Sequence, residues 1–137
     1  MEDLKTLHHW DVLALSCIDG RFIKRVADWV SKEAGEVYDY RSEVGSSKAI
    51  IDSPDDRERF FNVVDVAIRL HSIKEIWLID HIDCGAYGGS KMHVSPEAEL
   101  EFHVSKLQGA KKIIAQKYPE LAIKMIYASW DEFVEIS

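Results

Sequence analysis

Short apolar runs alternate with amphipathic segments along this chain, and that alternation limits the folds open to it. Val12–Ser16 is a short apolar run, typical of a strand that helices cover on both faces. Apolar residues then recur at helical spacing over residues 21–34, and Gly35 is a natural stop for that helix. The same succession repeats down the chain, so we expect strands and helices in alternation.

Two later helices begin with the same capping signal. Ser53-Pro54 and Ser95-Pro96 each place a hydroxyl before a proline, and acidic residues follow at the positive end of the helix dipole. We predict that the first of these helices ends near His71 and the second near Tyr118. The other predicted elements are a weaker second strand, a loop, a third strand and a fourth strand: residues 36–40, 41–52, 75–80 and 122–128.

This order predicts an α/β fold in three layers, as a single domain over residues 1–137. A mostly parallel four-stranded sheet, in the order 2-1-3-4, would carry helices on both faces. Ligands of such sheets bind at the carboxyl ends of the two strands where the winding reverses. For this order those are strands one and three.

Composition limits the kinds of partner that this chain is expected to bind. The chain is 47% hydrophobic, enough for one core, and its net charge of −7 argues against nucleic acid and anionic membranes. No run approaches the roughly 20 apolar residues of a membrane-spanning helix. The acidic, mixed start of the chain differs from a secretory signal, so we expect a cytoplasmic protein.

In a reducing cytosol, its two cysteines indicate metal binding or catalysis more than a disulfide.

Polar clusters directly follow strands one and three. The first reads Cys17-Ile18-Asp19-Gly20-Arg21, and the second reads His81-Ile82-Asp83-Cys84-Gly85. Both would emerge at the same end of the sheet, from neighbouring strands. Two thiolates and an imidazole favour zinc, and three protein ligands leave a fourth position open, as in catalytic zinc sites. We therefore predict that Cys17, His81 and Cys84 bind Zn²⁺.

Asp19 and Arg21 are spaced so that their side chains can pair. A carboxylate held by a guanidinium would accept a hydrogen bond from a hydroxide on the zinc and direct it at a substrate. Released from Arg21, the same carboxylate would instead occupy the fourth position and close the site. The sequence leaves both states open.

The two clusters together resemble the motifs of β-class carbonic anhydrases, Cys-x-Asp-Ser-Arg and His-x-x-Cys-Gly. The phrase His-x-Asp-Cys-Gly-Ala-Tyr-Gly-Gly is closer still to a group of short, largely uncharacterised carbonic-anhydrase-like proteins. The resemblance implies a zinc on Cys17, His81 and Cys84, with Asp19 and Arg21 as the catalytic dyad. It also implies reversible hydration of carbon dioxide to bicarbonate, in a homodimer or higher homo-oligomer.

The chain departs from that family at two places. Gly20 replaces the serine of the first motif, which removes a hydroxyl beside the dyad. The family's Arg-Asn-Ala-Gly segment after strand two has only a loose counterpart in residues 41–45. We expect the pocket walls and subunit contacts, rather than the metal ligands, to differ from the family.

Three other functions stay open at this point. The first keeps the zinc but hydrolyses a related small substrate, carbon disulfide or carbonyl sulfide. The second is a zinc-binding protein without hydratase activity, closed by Asp19. The third is a redox pair of Cys17 and Cys84, which gives His81 no role. The run Gly85 to Ser90 fits a nucleotide-binding loop poorly, because the next helix begins too far on and no Gly-Lys-Ser/Thr follows. We expect its glycines instead to let the backbone pass close to the metal.

Overall fold

The computed structural model describes residues 3–137 as an alternation of strands and helices. In chain order the elements are β1 (Val12–Ser16), α1 (Ile23–Ala34), β2 (Asp39–Ser42), α2 (Ser47–Asp52), α3 (Pro54–His71), β3 (Glu75–His81), α4 (Pro96–Lys117), β4 (Ala122–Ala128) and β5 (Phe133–Ile136). Short 3-10 turns cover Leu4–Thr6, Gly85–Tyr87 and Ser90–Met92. The predicted α/β class is confirmed.

The strands form one sheet in the order β2-β1-β3-β4-β5. The first four pair in parallel, which confirms the predicted order 2-1-3-4. The prediction of four strands was wrong by one, because β5 adds to β4 in the antiparallel sense. A tight turn makes this pairing possible: the Ser129 backbone N–H donates to the Glu132 carbonyl at 2.8 Å. Since β5 has only four residues, it carries too little alternation to be recognised from sequence.

Successive residues of the central strands point to opposite faces of the sheet and build two apolar layers. Leu13, Leu15, Ile76 and Leu78 face α2, α3 and α4, where they pack with side chains such as Phe60. The other face meets α1 through a second set of buried residues: Val12, Ala14, Trp77, Ile79, Phe22, Val26 and Val30. The three predicted layers are therefore confirmed.

Both predicted capping serines cap their helices. Ser53 Oγ accepts the Asp56 backbone N–H at 3.3 Å, and Ser95 Oγ accepts that of Ala98 at 3.0 Å. These bonds satisfy donors that the first helical turn leaves without a partner. None of the helices within residues 3–137 combines the length and apolar character that a membrane crossing requires.

The region around β2 differs from the prediction. The strand lies at Asp39–Ser42 rather than at residues 36–40, because its register on β1 runs from Leu13↔Asp39 to Ser16↔Ser42. The segment predicted as a loop also contains α2. Its Ile50 side chain is fully buried against the larger apolar layer, which stabilises a helix that its polar neighbours had obscured.

The hydrogen bond that caps α4 should contribute measurably to the stability of the protein. We expect Ser95→Ala to lower the free energy of unfolding by about 1 kcal/mol, because the Ala98 N–H loses its acceptor. Ser95→Asp keeps an acceptor at the same place and should remain close to the unchanged protein. Urea unfolding of the three proteins, followed by circular dichroism, measures the difference. Equal stability of all three would contradict the assignment of this cap.

Candidate metal centre

Three potential metal ligands meet at the carboxyl ends of β1 and β3. Cys17 directly follows β1, His81 is the last residue of β3, and Cys84 lies in the loop that follows. Their ligand atoms all lie within 4.8 Å of one another, and all three residues are buried. The structure therefore brings together the side chains expected to meet, in a cluster that could hold a metal ion.

The ring of His81 has one nitrogen that suits a metal. Its Nδ1 lies 2.7 Å from the carbonyl oxygen of Ile82, which can only accept, so Nδ1 carries the proton. In the neutral ring the other nitrogen, Nε2, then offers a lone pair, and it is buried with no hydrogen-bond partner within residues 3–137. An unsatisfied buried acceptor typically costs about 1–3 kcal/mol. Such a lone pair beside two thiols fits a zinc-like ion, and the backbone carbonyl supplies the outer support common at metal-bound histidines.

The two cysteines are free thiols that influence each other strongly. The adjacent Cys84 side chain lowers the pKa of Cys17 to about 4, although burial opposes the shift. The backbone N–H groups of Gly45 and Asp19 lower it further. The same interaction with Cys17, together with burial, raises the pKa of Cys84. One of the two thiols thus ionises more readily than an isolated cysteine does, and its neighbour less readily.

Asp19 and Arg21 form the pair that their spacing predicted. The Arg21 side chain donates from Nε to Asp19 Oδ1 at 3.0 Å and from Nη2 to Oδ2 at 2.6 Å, and its backbone N–H also donates to Oδ1. These hydrogen bonds lower the pKa of Asp19 to about 2. Asp19 Oδ2 lies 3.8 Å from His81 Nε2, so the carboxylate is held at the edge of the cluster.

A buried acid behind the cluster was missed by the sequence reasoning. Asp80, one residue before His81, accepts from the backbone N–H of Ser47 at 3.1 Å, its hydroxyl at 2.7 Å and His103 Nδ1 at 2.7 Å. Since the Ser47 hydroxyl donates to Asp80, it accepts from the Tyr87 hydroxyl at 2.7 Å. This network ties α2, α4 and the site loop to β3. The sequence signal that could have identified Asp80 is an acidic residue at the end of an apolar strand.

Two of the glycines after Cys84 have close neighbours within their own loop, and their approach to a metal stays a prediction. A Cβ at Gly88 would lie 2.6 Å from Met92 Cγ, and a Cβ at Gly89 would lie 2.9 Å from Asp83 Oδ1. Both residues also have positive φ angles, 92° and 82°. These two glycines therefore make room for side chains of their own loop.

Comparison with known proteins decides the family. The profile of a family described as "Putative carbonic anhydrase" matches residues 8–136. The chain belongs to this putative carbonic anhydrase family. Uncharacterized proteins of Rickettsia bellii and Rickettsia conorii are 31% and 32% identical to it, each over 98% of this chain. The matches span 85% and 75% of those two proteins.

Solved β-carbonic anhydrases share the fold of this carbonic-anhydrase-like chain. Isoform I of Trichomonas vaginalis superposes with a TM-score of 0.65 at 15% identity, over 99% of this chain and 87% of that one. The enzyme CafA of Aspergillus fumigatus superposes with a TM-score of 0.55 at 15% identity, over 98% and 78% of the two chains. At such identities the likeness shows the fold alone, whereas the family match confirms the resemblance expected from the two motifs.

The structure also accounts for the two departures from the β-class pattern. A Cβ at Gly20 would meet no atom of the described residues within 4 Å, so the missing serine leaves open space beside the dyad. In the segment after β2, Gly45 has a φ of 78°, and its Cβ would lie 2.8 Å from Lys48 Cβ and 3.0 Å from Ala86 Cβ. Gly45 thus lets the β2 loop pack against the loop that carries Cys84, which residue pattern alone did not indicate.

These two glycines form a matched pair for mutation. Gly45→Ala should lower the free energy of unfolding by about 1–3 kcal/mol, because the new methyl group meets two side chains on a strained backbone. Gly20→Ala should change it by less than about 0.5 kcal/mol, as at an ordinary surface position. Thermal and urea unfolding of the metal-free proteins give both values, and a larger loss for Gly20→Ala would contradict this account of the loops.

Proposed function

We propose that this chain is a zinc-dependent carbonic anhydrase that interconverts carbon dioxide and bicarbonate. Cys17, His81 and Cys84 would hold the zinc, and Asp19 and Arg21 would form the catalytic dyad. One observation carries the proposal: the buried His81 Nε2, which has no partner in the described part of the chain, faces two thiols and lies 3.8 Å from a carboxylate that an arginine holds in place. Membership of the carbonic-anhydrase-like family supports the same reaction.

The donor set favours zinc over harder ions. Thiolate and imidazole ligands suit zinc, whereas magnesium and calcium prefer oxygen. Three protein ligands are typical of catalytic zinc sites, in which the remaining position takes water or substrate. When bound, zinc lowers the pKa of water to about 7 and so supplies hydroxide near neutral pH.

Asp19 would act as the acceptor that orients the nucleophile. Its Oδ2 is the carboxylate oxygen near the cluster, and an ionised carboxylate can only accept hydrogen bonds. A water or hydroxide beside it must therefore donate its hydrogen to Asp19, which leaves an oxygen lone pair free for carbon dioxide. Arg21 would keep Asp19 ionised and fixed in direction throughout the reaction.

The arrangement favours an open site over one closed by Asp19. A carboxylate that ligates the metal must leave Arg21, and here both of its oxygens accept from the guanidinium. Charge-assisted hydrogen bonds of this forked kind are among the stronger ones in proteins. Asp19 would have to give up these contacts with Arg21 before it could occupy the fourth position.

A cytoplasmic location and a homodimer or higher homo-oligomer remain predictions.

Metal content tests the ligand assignment. The purified protein should contain about one zinc per chain by elemental analysis, because a three-ligand cluster of this composition binds zinc tightly. Cys84→Ser and His81→Asn should leave it clearly below stoichiometric zinc. His8→Asn changes an exposed histidine in the same way and should retain the metal. Full zinc occupancy in Cys84→Ser and His81→Asn would overturn the assignment.

Carbon dioxide hydration tests the dyad. Asp19→Asn should keep its zinc but lose about a hundredfold or more in kcat/KM, since its side chain no longer acts only as an acceptor. The matched control is Asp28→Asn, which removes an exposed acid paired with Lys24 on α1 and should remain fully active. Stopped-flow hydration assays measure both. A zinc-loaded protein no faster than its metal-free form would reject the hydratase and leave a zinc-binding protein without that activity.

A further inference from the structure

Glu99 is a buried acid on α4 that the proposed mechanism leaves without a role. It is only 2% exposed, and its two carboxylate oxygens accept different donors of the loop after β3. Oε2 accepts the Asp83 backbone N–H at 2.8 Å, and Oε1 accepts the Ser90 hydroxyl at 2.8 Å. A buried carboxylate is costly unless such bonds compensate for lost water. The two carboxylate oxygens of Glu99 therefore fasten the loop to α4.

The fastened loop presents Asp83 in an unusual conformation. Its φ angle is 58°, in the left-handed region that aspartate tolerates better than most residues. Asp83 Oδ1 accepts the Ser90 backbone N–H at 2.7 Å, and Gly89 leaves the space that this oxygen occupies. Glu99, Ser90 and Gly89 thus form a cradle that fixes both the backbone and the carboxylate of Asp83.

Asp83 in turn holds the far side of the Arg21 guanidinium. Arg21 Nη1 donates to Asp83 Oδ2 at 3.0 Å, and Nη2 donates to the Asp83 carbonyl at 3.0 Å. The Asp19 carboxylate occupies the other side through Nε and Nη2. Arg21 is 47% exposed, and Asp19 holds only one side of its guanidinium. The contacts with Asp83 hold the opposite side, and the centroid of the Trp130 ring lies 5.2 Å from Arg21 Cζ.

We propose that Asp83, cradled by Glu99, Ser90 and Gly89, is a positioning residue that sets the direction of Arg21 and through it that of Asp19. It acts without touching the reacting atoms. The guanidinium is a rigid fork, so fixing one side fixes the side that holds Asp19. The catalytic consequence rests on the proposed carbon dioxide hydration, whereas the hold on Arg21 is a property of the protein with or without metal.

Asp83→Asn is the most direct test because it changes little else. Asparagine also tolerates a positive φ angle, and its amide oxygen can still accept from Ser90. Its NH₂ group would face Arg21 Nη1, so a donor replaces the acceptor there. Since the Asp83 side chain is partly exposed, the variant is not expected to fail in folding. Asp28→Asn makes the same chemical change at an exposed ion pair and is the matched control.

The first readout is nuclear magnetic resonance of the arginine side chains with ¹⁵N labelling, which needs neither metal nor activity. In the unchanged protein and in Asp28→Asn, the Arg21 guanidinium signals should show restricted rotation and slow hydrogen exchange. In Asp83→Asn the exchange of these protons should be about tenfold faster or more, as expected for loss of a charge-assisted hydrogen bond. Unchanged Arg21 signals, even with lower stability, would overturn the proposal and leave Asp83 a merely structural residue.

Glu99 provides a rescue test of the cradle. Glu99→Gln can still accept from the Asp83 N–H and can donate to the Ser90 oxygen, so the Arg21 signals should stay close to those of the unchanged protein. Glu99→Ala removes both contacts and should reproduce the faster exchange of Asp83→Asn. Arg21 signals in a folded Glu99→Ala protein that match the unchanged protein would refute the role of the cradle.

Activity of the zinc-loaded proteins tests the consequence. Asp83→Asn should lose about 10- to 100-fold in kcat/KM at unchanged zinc content, the range typical when outer support of a metal site is removed. A freed Arg21 with full activity would overturn the positioning role. If the unchanged protein hydrates no carbon dioxide, the proposed function fails, and the resonance measurements still decide whether Asp83 holds Arg21.

Discussion

The parallel pairing of β1 with β3 is the constraint on which the rest of the site depends. Its register, from Val12↔Glu75 to Leu15↔Leu78, makes the two strands end side by side. Cys17 and Asp19 leave one strand while His81 and Cys84 leave the other, and both groups emerge at the same edge. Both strands are buried on both faces, so a change of register would disrupt their packing, and the core that stabilises the sheet also fixes the distances between the candidate ligands.

A second level of order comes from buried acids that connect the helices to this edge. Asp80 joins β3 to α2 and α4, and Glu99 joins α4 to the loop that carries Cys84. Each carboxylate is satisfied by neutral donors or by a histidine ring. The candidate metal centre is therefore supported by a polar layer beneath it, and the dyad of Asp19 and Arg21 forms its outer rim.

What could be predicted from sequence was whatever depends on local pattern and strand order. The serine and proline at the starts of α3 and α4, and the apolar run of β1, mark those elements directly. Cys17 and His81 could be paired because strand ends meet at one edge of a parallel sheet. Glu99 could not, because its position on the first turn of α4 looks like ordinary dipole complementarity until the Asp83 loop packs against it. α2 was hidden for the same reason: only tertiary burial of Ile50 distinguishes it from a loop.

The short antiparallel β5 has a consequence for how the protein behaves in concentrated solution. Without it, the seven-residue β4 would expose a long row of unpaired backbone groups, a known template for aggregation. With β5 in place, both edges of the sheet are strands of only four residues. Asp39 and Arg41 at one edge and Glu135 at the other add charges that oppose the pairing of sheets from different molecules. The short strand β5 thereby disfavours edge-to-edge pairing of sheets from different molecules.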